Sequence, residues 1–238
     1  MKAKHLALAL LVFIVSVPTI GSTYQFIAGK GQYGPTSSST QVSISPVNTT
    51  VYSEIGTTFT VNITITNAND LYVWQAGVNF NAIILEALSF EEGPFLKEKN
   101  ATLWTPATID NTVGIIHYHA SALAGNITGA NGNGTLATIT FKTKNYGTTT
   151  LQLTNVVLLD SNLVETDKTL IHGTVKVKRA GDVNSDGKVD INDLYDLGKA
   201  YGSDPSKPNW NPECDFNSDG KVDNSDLLDL STNYGKTT

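Results

Sequence analysis

Apolar and polar residues take turns through the middle of the chain. Phe59, Val61, Ile63 and Ile65 are separated by Thr60, Asn62, Thr64 and Thr66, the period of two that puts one face of a strand in a core and the other in water. Residues 71–80, 84–90, 114–120, 136–141, 151–159 and 174–177 read the same way, with Asn, Gly, Pro and Asp between them as turn formers. Seven to nine such strands fall within residues 41–179, which predicts an antiparallel β-sandwich or jelly roll. The period changes near the end. Leu194, Leu197 and Tyr201, then Leu227, Leu230 and Tyr234, recur at helical spacing and predict short helices over 192–201 and 225–234. The expected fold class is mainly β, a sandwich followed by a small α-helical module.

The first residues follow neither period. Lys2 and Lys4 precede a mostly apolar run over residues 6–17, then Pro18 and the small pair Gly21-Ser22. That order reads as a secretory signal peptide over residues 1–22, with an uncleaved anchor as the alternative. The run is shorter than the about 20 residues of a bilayer span, and nothing later is apolar enough to cross a membrane. Residues 23–40 end Pro35-Thr36-Ser37-Ser38-Ser39-Thr40 and read as a tether. The domains expected are therefore a signal at 1–22, a tether at 23–40, a sandwich at 41–179 and a helical module at 180–238, in a secreted protein that the cell surface could also hold.

Charge separates the last two. The net charge is −6, but twelve acidic and five basic residues fall from residue 180 onward, while the rest holds ten and eleven. The acidity belongs to the C-terminal module. With no basic stripe, nucleic-acid binding is not expected. Cys214 is the single cysteine, so no disulfide can form within the chain and the small module needs another staple.

The module supplies a candidate. A stretch from Asp182 to Asp193 recurs 33 residues later from Asp215 to Asp226. Positions 1, 3, 5, 9 and 12 are Asp182, Asn184, Asp186, Asp190 and Asp193 in one copy, and Asp215, Asn217, Asp219, Asp223 and Asp226 in the other. Gly187 and Gly220 stand at position 6. This is the ligand order of a calcium loop: the ion takes roughly six to eight hard oxygens, so the chain must wrap it and turn sharply at the glycine. Lys188 and Lys221 at position 7 would donate backbone carbonyls, which makes their side chains no objection. Two calcium ions are expected. Asx-rich surface turns are the plainer reading of one such loop; two in register, each followed by a helix pattern, argue against it.

Position 12 is Asp where an EF-hand usually has Glu, and no helix pattern precedes either loop. A loop with an exit helix, duplicated around a connector holding Pro205, Pro208 and Pro212, resembles the type I dockerin module over residues 181–235. That resemblance implies docking into a cohesin domain of another protein. It also implies partner choice at loop positions 10 and 11, here Ile191 and Asn192 in one repeat and Asn224 and Ser225 in the other, and at exposed positions of the exit helices. These pairs differ, unlike the near-identical repeats that dock interchangeably. The sandwich in turn is similar to cohesin domains over residues 42–177. The likeness rests on residues 59–65 and 70–75, Val78-Asn79-Phe80, Ile84-Leu85-Glu86, residues 134–141, Leu158-Leu159-Asp160-Ser161 and Gly173-Thr174-Val175-Lys176-Val177. Cohesins are jelly rolls that receive dockerins on one sheet face.

Other constellations are weaker. His117 and His119 would share a strand face without further ligands at metal spacing. Glu91 and Glu92 diverge by alternation rather than forming an acid/base pair. Trp74 reads as core, while Trp104, before Pro106, is open to a sugar-stacking role. Asn48, Asn62, Asn100, Asn126 and Asn133 begin Asn-x-Ser/Thr sequences and are glycosylation candidates. No nucleophile elbow, phosphate loop or dinucleotide fingerprint occurs, so no enzyme is expected. The function expected is calcium-dependent assembly with cohesin- or dockerin-bearing proteins, itself included, in extracellular polysaccharide-acting complexes. The alternatives are a carbohydrate-binding sandwich carried by its dockerin, with a polysaccharide as partner, and a calcium clamp internal to the chain.

Overall fold

The computed structural model describes residues 39–237 except 53, 54, 107 and 126. The stretch read as a signal peptide (1–22), the stretch read as a tether through residue 38, and the glycosylation candidate Asn126 lie outside the described residues. Among the described residues the strands are β1 Thr40–Ser45, β2 Asn48–Tyr52, β3 Thr58–Leu71, β4 Val73–Asn79, β5 Leu85–Glu92, β6 Thr102–Trp104, β7 Ile109–Asp110, β8 Ile115–Leu123, β9 Ala130–Thr143, β10 Gly147–Leu159, β11 Lys168–Ile171 and β12 Gly173–Lys178. One sheet runs β11-β1-β3-β9-β5; the other runs β2-β12-β10-β4-β8-β6, with β7 also paired to β8. Pairing is antiparallel apart from β1 with β11 and β2 with β12. The chain changes sheets at every connection except those joining β6, β7 and β8; at the first, between β1 and β2, Pro46 has no N–H to offer a ladder.

The two sheets meet through the apolar phase of each strand. In β3, Val61, Ile63 and Ile65 are buried, while Asn62 and Thr64 are only half-buried. They meet Trp74 and Val78 of β4, Ile116 of β8, and Leu151 and Leu153 of β10 in one cluster. Phe141 of β9 stacks on Phe59 at 5.8 Å and takes Phe80 edge-on at 5.3 Å, separations at which aromatic pairs attract. β4 is buried on both faces: a small second cluster of Val73, Ala122 and Leu159 covers its outer side.

The paired histidines correct one expectation. Between Ala76 and Val78 the β4–β8 register shifts, and the bulge in β8 breaks the two-residue alternation. His117 is exposed, whereas His119 turns inward at 1% exposure. Its Nδ1 lies 3.1 Å from the Thr105 carbonyl, and its ring lies 4.3 Å from Phe90. Burial holds its imidazole below the usual histidine range.

Helices are few among the described residues: α1 Pro94–Lys97, α2 Ile191–Ala200 and α3 Asn224–Asn233, with a 3₁₀ turn at Pro212–Cys214. The last two helices begin and end one residue earlier than expected. Asp190 and Asp223 start them as N-caps, accepting from Asn192 N and Ser225 N at 2.8 Å, and each belongs to a reciprocal capping box. Past the helices, Gly202 and Gly235 sit at φ of +75° and +79°, where a side chain would be strained. The architecture is thus mainly β, a sandwich followed by a small helical module.

Candidate functional site

The two repeats fold as near-copies. Asp193 and Asp226, both fully buried, reach back from α2 and α3 to the start of their loops. Asp193 Oδ1 accepts from Val183 N at 2.8 Å and Asn184 N at 3.2 Å, and its Oδ2 accepts from Asp190 N at 2.8 Å. Asp226 repeats the first and last of these with Phe216 N at 2.8 Å and Asp223 N at 2.9 Å. At the tips, Gly187 and Gly220 take φ of +84° and +82°, as the sharp turn requires. Asp182 Oδ2 accepts from Gly187 N at 3.2 Å, and Asp215 Oδ2 accepts from Gly220 N at 3.0 Å.

Backbone pairing locks one repeat to the other. Val189 N donates to Lys236 O, and Gly235 N donates to Val189 O. Reciprocally, Gly202 N donates to Val222 O, and Val222 N donates to Ser203 O. Each loop is therefore closed by the chain that leaves the other repeat's helix. Beneath them lies a small cluster of Val183, Val189, Leu197, Ala200, Cys214, Phe216, Val222 and Leu230.

Whether these loops fit a cation is tested by their oxygens. Among the described residues no three His, Cys, Asp or Glu side chains converge as a closed cage. Asn184 Oδ1 and Asn217 Oδ1 instead accept from Asp186 N and Asp219 N at 2.9 and 3.0 Å, ordinary Asx turns that keep the loops wrapped. One oxygen is left over. Asp182 is 4% exposed, and its Oδ1 is buried without a hydrogen-bond partner, a costly state for a carboxylate. Burial pushes its carboxyl above the usual range despite the Gly187 N–H and the Lys178 charge. The donors are carboxylates, amide oxygens and backbone carbonyls, the set that hard cations take. The residues present fit calcium. Those that would hold it are Asp182, Asn184, Asp186, the Lys188 carbonyl, Asp190 and Asp193, and Asp215, Asn217, Asp219, the Lys221 carbonyl, Asp223 and Asp226.

The outer faces of α2 and α3 are left open. Ile191 is 61% exposed, Tyr195 66% and Leu228 65%, and Asn192 and Ser225 are exposed beside them. Asn224 is exposed too, but its Oδ1 accepts from Tyr201 Oη at 2.6 Å. Ile191 has no such acceptor to offer, so the repeats differ in chemistry where they match in shape. Tyr195 and Leu228 are exposed exit-helix positions of the kind the resemblance implies, though the sequence reading did not name them. The signal was there: each is a large apolar residue off the Leu194/Leu197 or Leu227/Leu230 stripe.

The junction with the sandwich was also missed. Tyr52, the last residue of β2, donates from Oη to Glu213 Oε2 at 3.0 Å, and Lys178, the last of β12, meets the same oxygen at 2.6 Å. Tyr52 packs edge-on against Phe216 at 5.4 Å. Lys178 Nζ also lies 3.4 Å from the Val183 carbonyl.

The remaining candidates lie in the sandwich. Trp74 is 1% exposed, and Trp104 is half-buried, stacked on Phe90 at 5.9 Å and near His119 and Trp74. Its ring is thus part of the core edge. Trp104→Ala is expected to destabilise the sandwich by about 3 kcal/mol, the low end for a large aromatic in a core, seen as an earlier urea midpoint at unchanged slope. Glu92, with a side chain 5% exposed, is tied by Ser121 Oγ, Thr102 Oγ1 and Lys97 Nζ, while Glu91 is exposed. Asn48 is exposed, and Asn62 stands on the outward phase of β3. Asn133 Oδ1 accepts from Asn67 N, and Asn100 Nδ2, the atom a glycan would take, donates to the Ala124 carbonyl. Among the described residues no helix is long and apolar enough to cross a membrane.

Comparison with known proteins agrees with this division. The cohesin domain family matches residues 41–177, and the type I dockerin domain family matches residues 180–233. No curated protein matches the chain. A cohesin in a type I cohesin–dockerin complex from Clostridium thermocellum is similar in fold, with a TM-score of 0.50 and 12% identity over 62% of this chain and 99% of that one. A non-cellulosomal cohesin from the hyperthermophilic archaeon Archaeoglobus fulgidus gives 0.49 and 16% over 62% and 96%. A type II cohesin from the cellulosome of Acetivibrio cellulolyticus gives 0.49 and 17% over 58% and 95%. Cohesins and dockerins are non-catalytic interaction domains, and type I dockerins are calcium-binding modules. The chain belongs to the cohesin family, and a type I dockerin domain follows its cohesin domain on the same polypeptide.

Proposed function

We propose that the chain is a secreted, non-catalytic adaptor that joins proteins through calcium-dependent cohesin–dockerin contacts. The observation that carries this reading is the presence of both halves of a complementary interaction pair on one polypeptide. Residues 1–22 would be removed on export, 23–40 would serve as a tether, and the sandwich (41–179) and module (180–238) would each meet a different partner. The setting is that of extracellular, polysaccharide-acting complexes, as the family resemblance implies.

Two calcium ions, one per loop, would offset half of the negative charge that four carboxylates bring to each loop. The chain's own residues do the rest. Asp193 and Asp226 tie each loop to its helix, and Asp190 and Asp223 cap the helices. Ile191, Asn192, Asn224 and Ser225, with Tyr195 and Leu228, then meet the partner. Ile191 and Tyr195, four residues apart on one helix face and both more than half exposed, support that assignment, because neighbouring apolar side chains left in water mark an interaction site.

Sizing the full chain by light scattering in calcium and in EGTA tests the reading, alongside capture of a separate cohesin domain. A mass that rises only with calcium means that a second copy is a partner. Unchanged mass with calcium-dependent capture means bridging of unlike proteins. If calcium changes neither, the adaptor reading fails.

A further inference from the structure

We propose that the sandwich is a working part of the calcium module: Tyr52 and Lys178 act as positioning residues that brace both loops and raise their affinity for calcium. This rests on the calcium reading above and adds to it a role for residues outside the dockerin.

The bracing is specific in its geometry. Val183 and Phe216 are the same residue of the two repeats, position 2 of each loop. Their N–H groups are the ones that the position-12 carboxylates of Asp193 and Asp226 accept, at 2.8 Å in both repeats. The sandwich touches both. Lys178 Nζ lies 3.4 Å from the Val183 carbonyl, and the Tyr52 ring stands edge-on to the Phe216 ring at 5.4 Å and 67°. Glu213 joins the two contacts, because its Oε2 receives both the Tyr52 hydroxyl and the Lys178 ammonium. It stands on the 3₁₀ turn two residues before Asp215, the first oxygen donor of the second loop.

Burial makes this contact more than a surface pair. The Lys178 side chain is only 8% exposed, and its ammonium also lies 5.6 Å from the Tyr52 ring centroid. A buried ammonium needs its partner oxygens in place. Those oxygens belong to Val183, at position 2 of the first loop, and to Glu213, two residues before the second loop begins. Wrapping the loops and seating Lys178 therefore favour one another, and such coupling is reciprocal: calcium strengthens the junction by the factor with which the junction strengthens calcium binding.

Calorimetric titration of the full chain with calcium, at a temperature where every variant is folded, tests this. Tyr52→Ala and Lys178→Met are expected to weaken binding roughly 5- to 50-fold, within the range usual for coupled sites. Tyr52→Phe keeps the ring and should lose only about two- to fivefold, the share of one hydroxyl. Amide exchange supplies the reverse reading: EGTA should speed exchange in β2 and at the end of β12 while leaving β3 and β9 unchanged. A purely structural role would lower thermal stability without moving either readout. Wild-type affinity retained within twofold in all three variants would overturn the inference while the calcium reading stands. No calcium uptake by the wild type would overturn both. Should Tyr52→Ala fail to fold, Tyr52→Phe and Lys178→Met decide alone.

Discussion

Treating the protein with EGTA is expected to melt α2 and α3 and to turn Cys214 from an inert thiol into a reactive one. The helices rest on eight buried apolar residues, a core too small to offset the conformational entropy of about 55 ordered residues by itself. Each loop also carries four carboxylates within twelve residues, whose mutual repulsion a cation would offset. Metal binding is then largely folding free energy. Cys214 reports on this because it is fully buried inside that core. Burial, with the charges of Asp196, Asp226 and Glu213, pushes its thiol up to about 12. A free thiol ionises near 8.5, so at pH 8 the reactive fraction should rise steeply when the module opens and the thiol meets water. Labelling with a chromogenic disulfide measures the rate directly, and circular dichroism follows the helices. Equal labelling with and without calcium, or helices that survive chelation, would refute the expectation. The sandwich should keep a cooperative urea transition of its own, moved only by the loss of the Tyr52 and Lys178 contacts, since its core is a separate cluster.

What the amino-acid pattern could reveal follows the reach of each interaction. The strands β3, β4, β5, β8, β9, β10 and β12 were legible because each exposes one face or buries a continuous apolar run over at least six residues. β2, β6, β7 and β11 were not. They are two to five residues long, too short for a period to stand out, and they exist because a longer neighbour offers a ladder. β1 does alternate, with Val42 and Ile44 buried, but it begins at Thr40, inside the stretch read as a tether. The loops were legible in full ligand order, since wrapping an ion is a local act completed within twelve residues. The junction was not. Tyr52 lies 161 residues from Glu213, and Lys178 lies 35 from it, and nothing in a one-dimensional pattern joins residues so far apart. His119 shows a third limit, where one bulge reverses the face that alternation assigns.

Tyr195→Asp is expected to abolish capture of a cohesin domain that the wild type binds in calcium, with a loss of roughly a hundredfold or more, the scale of an interface hot spot. Leu228→Asp, at the equivalent place in the second repeat, should cost less than about tenfold, near the level of contacts outside a hot spot. The difference arises one turn earlier in each helix. In α2, Ile191 stands four residues before Tyr195, so the two share a face, and both are more than half exposed. Together they offer a pair of apolar anchors. In α3 the matching residue is Asn224, already engaged by Tyr201 Oη, which leaves Leu228 a lone anchor beside a polar group whose hydrogen bond a partner would have to replace. Neither substitution touches the buried stripe or the loop oxygens, so calcium uptake should be unchanged, which separates lost docking from lost folding. If both helices served equally, each single substitution would have little effect and only the double variant would fail. That outcome would defeat the assignment of α2 as the docking helix and restore the equivalence that the two loops' shared geometry suggests.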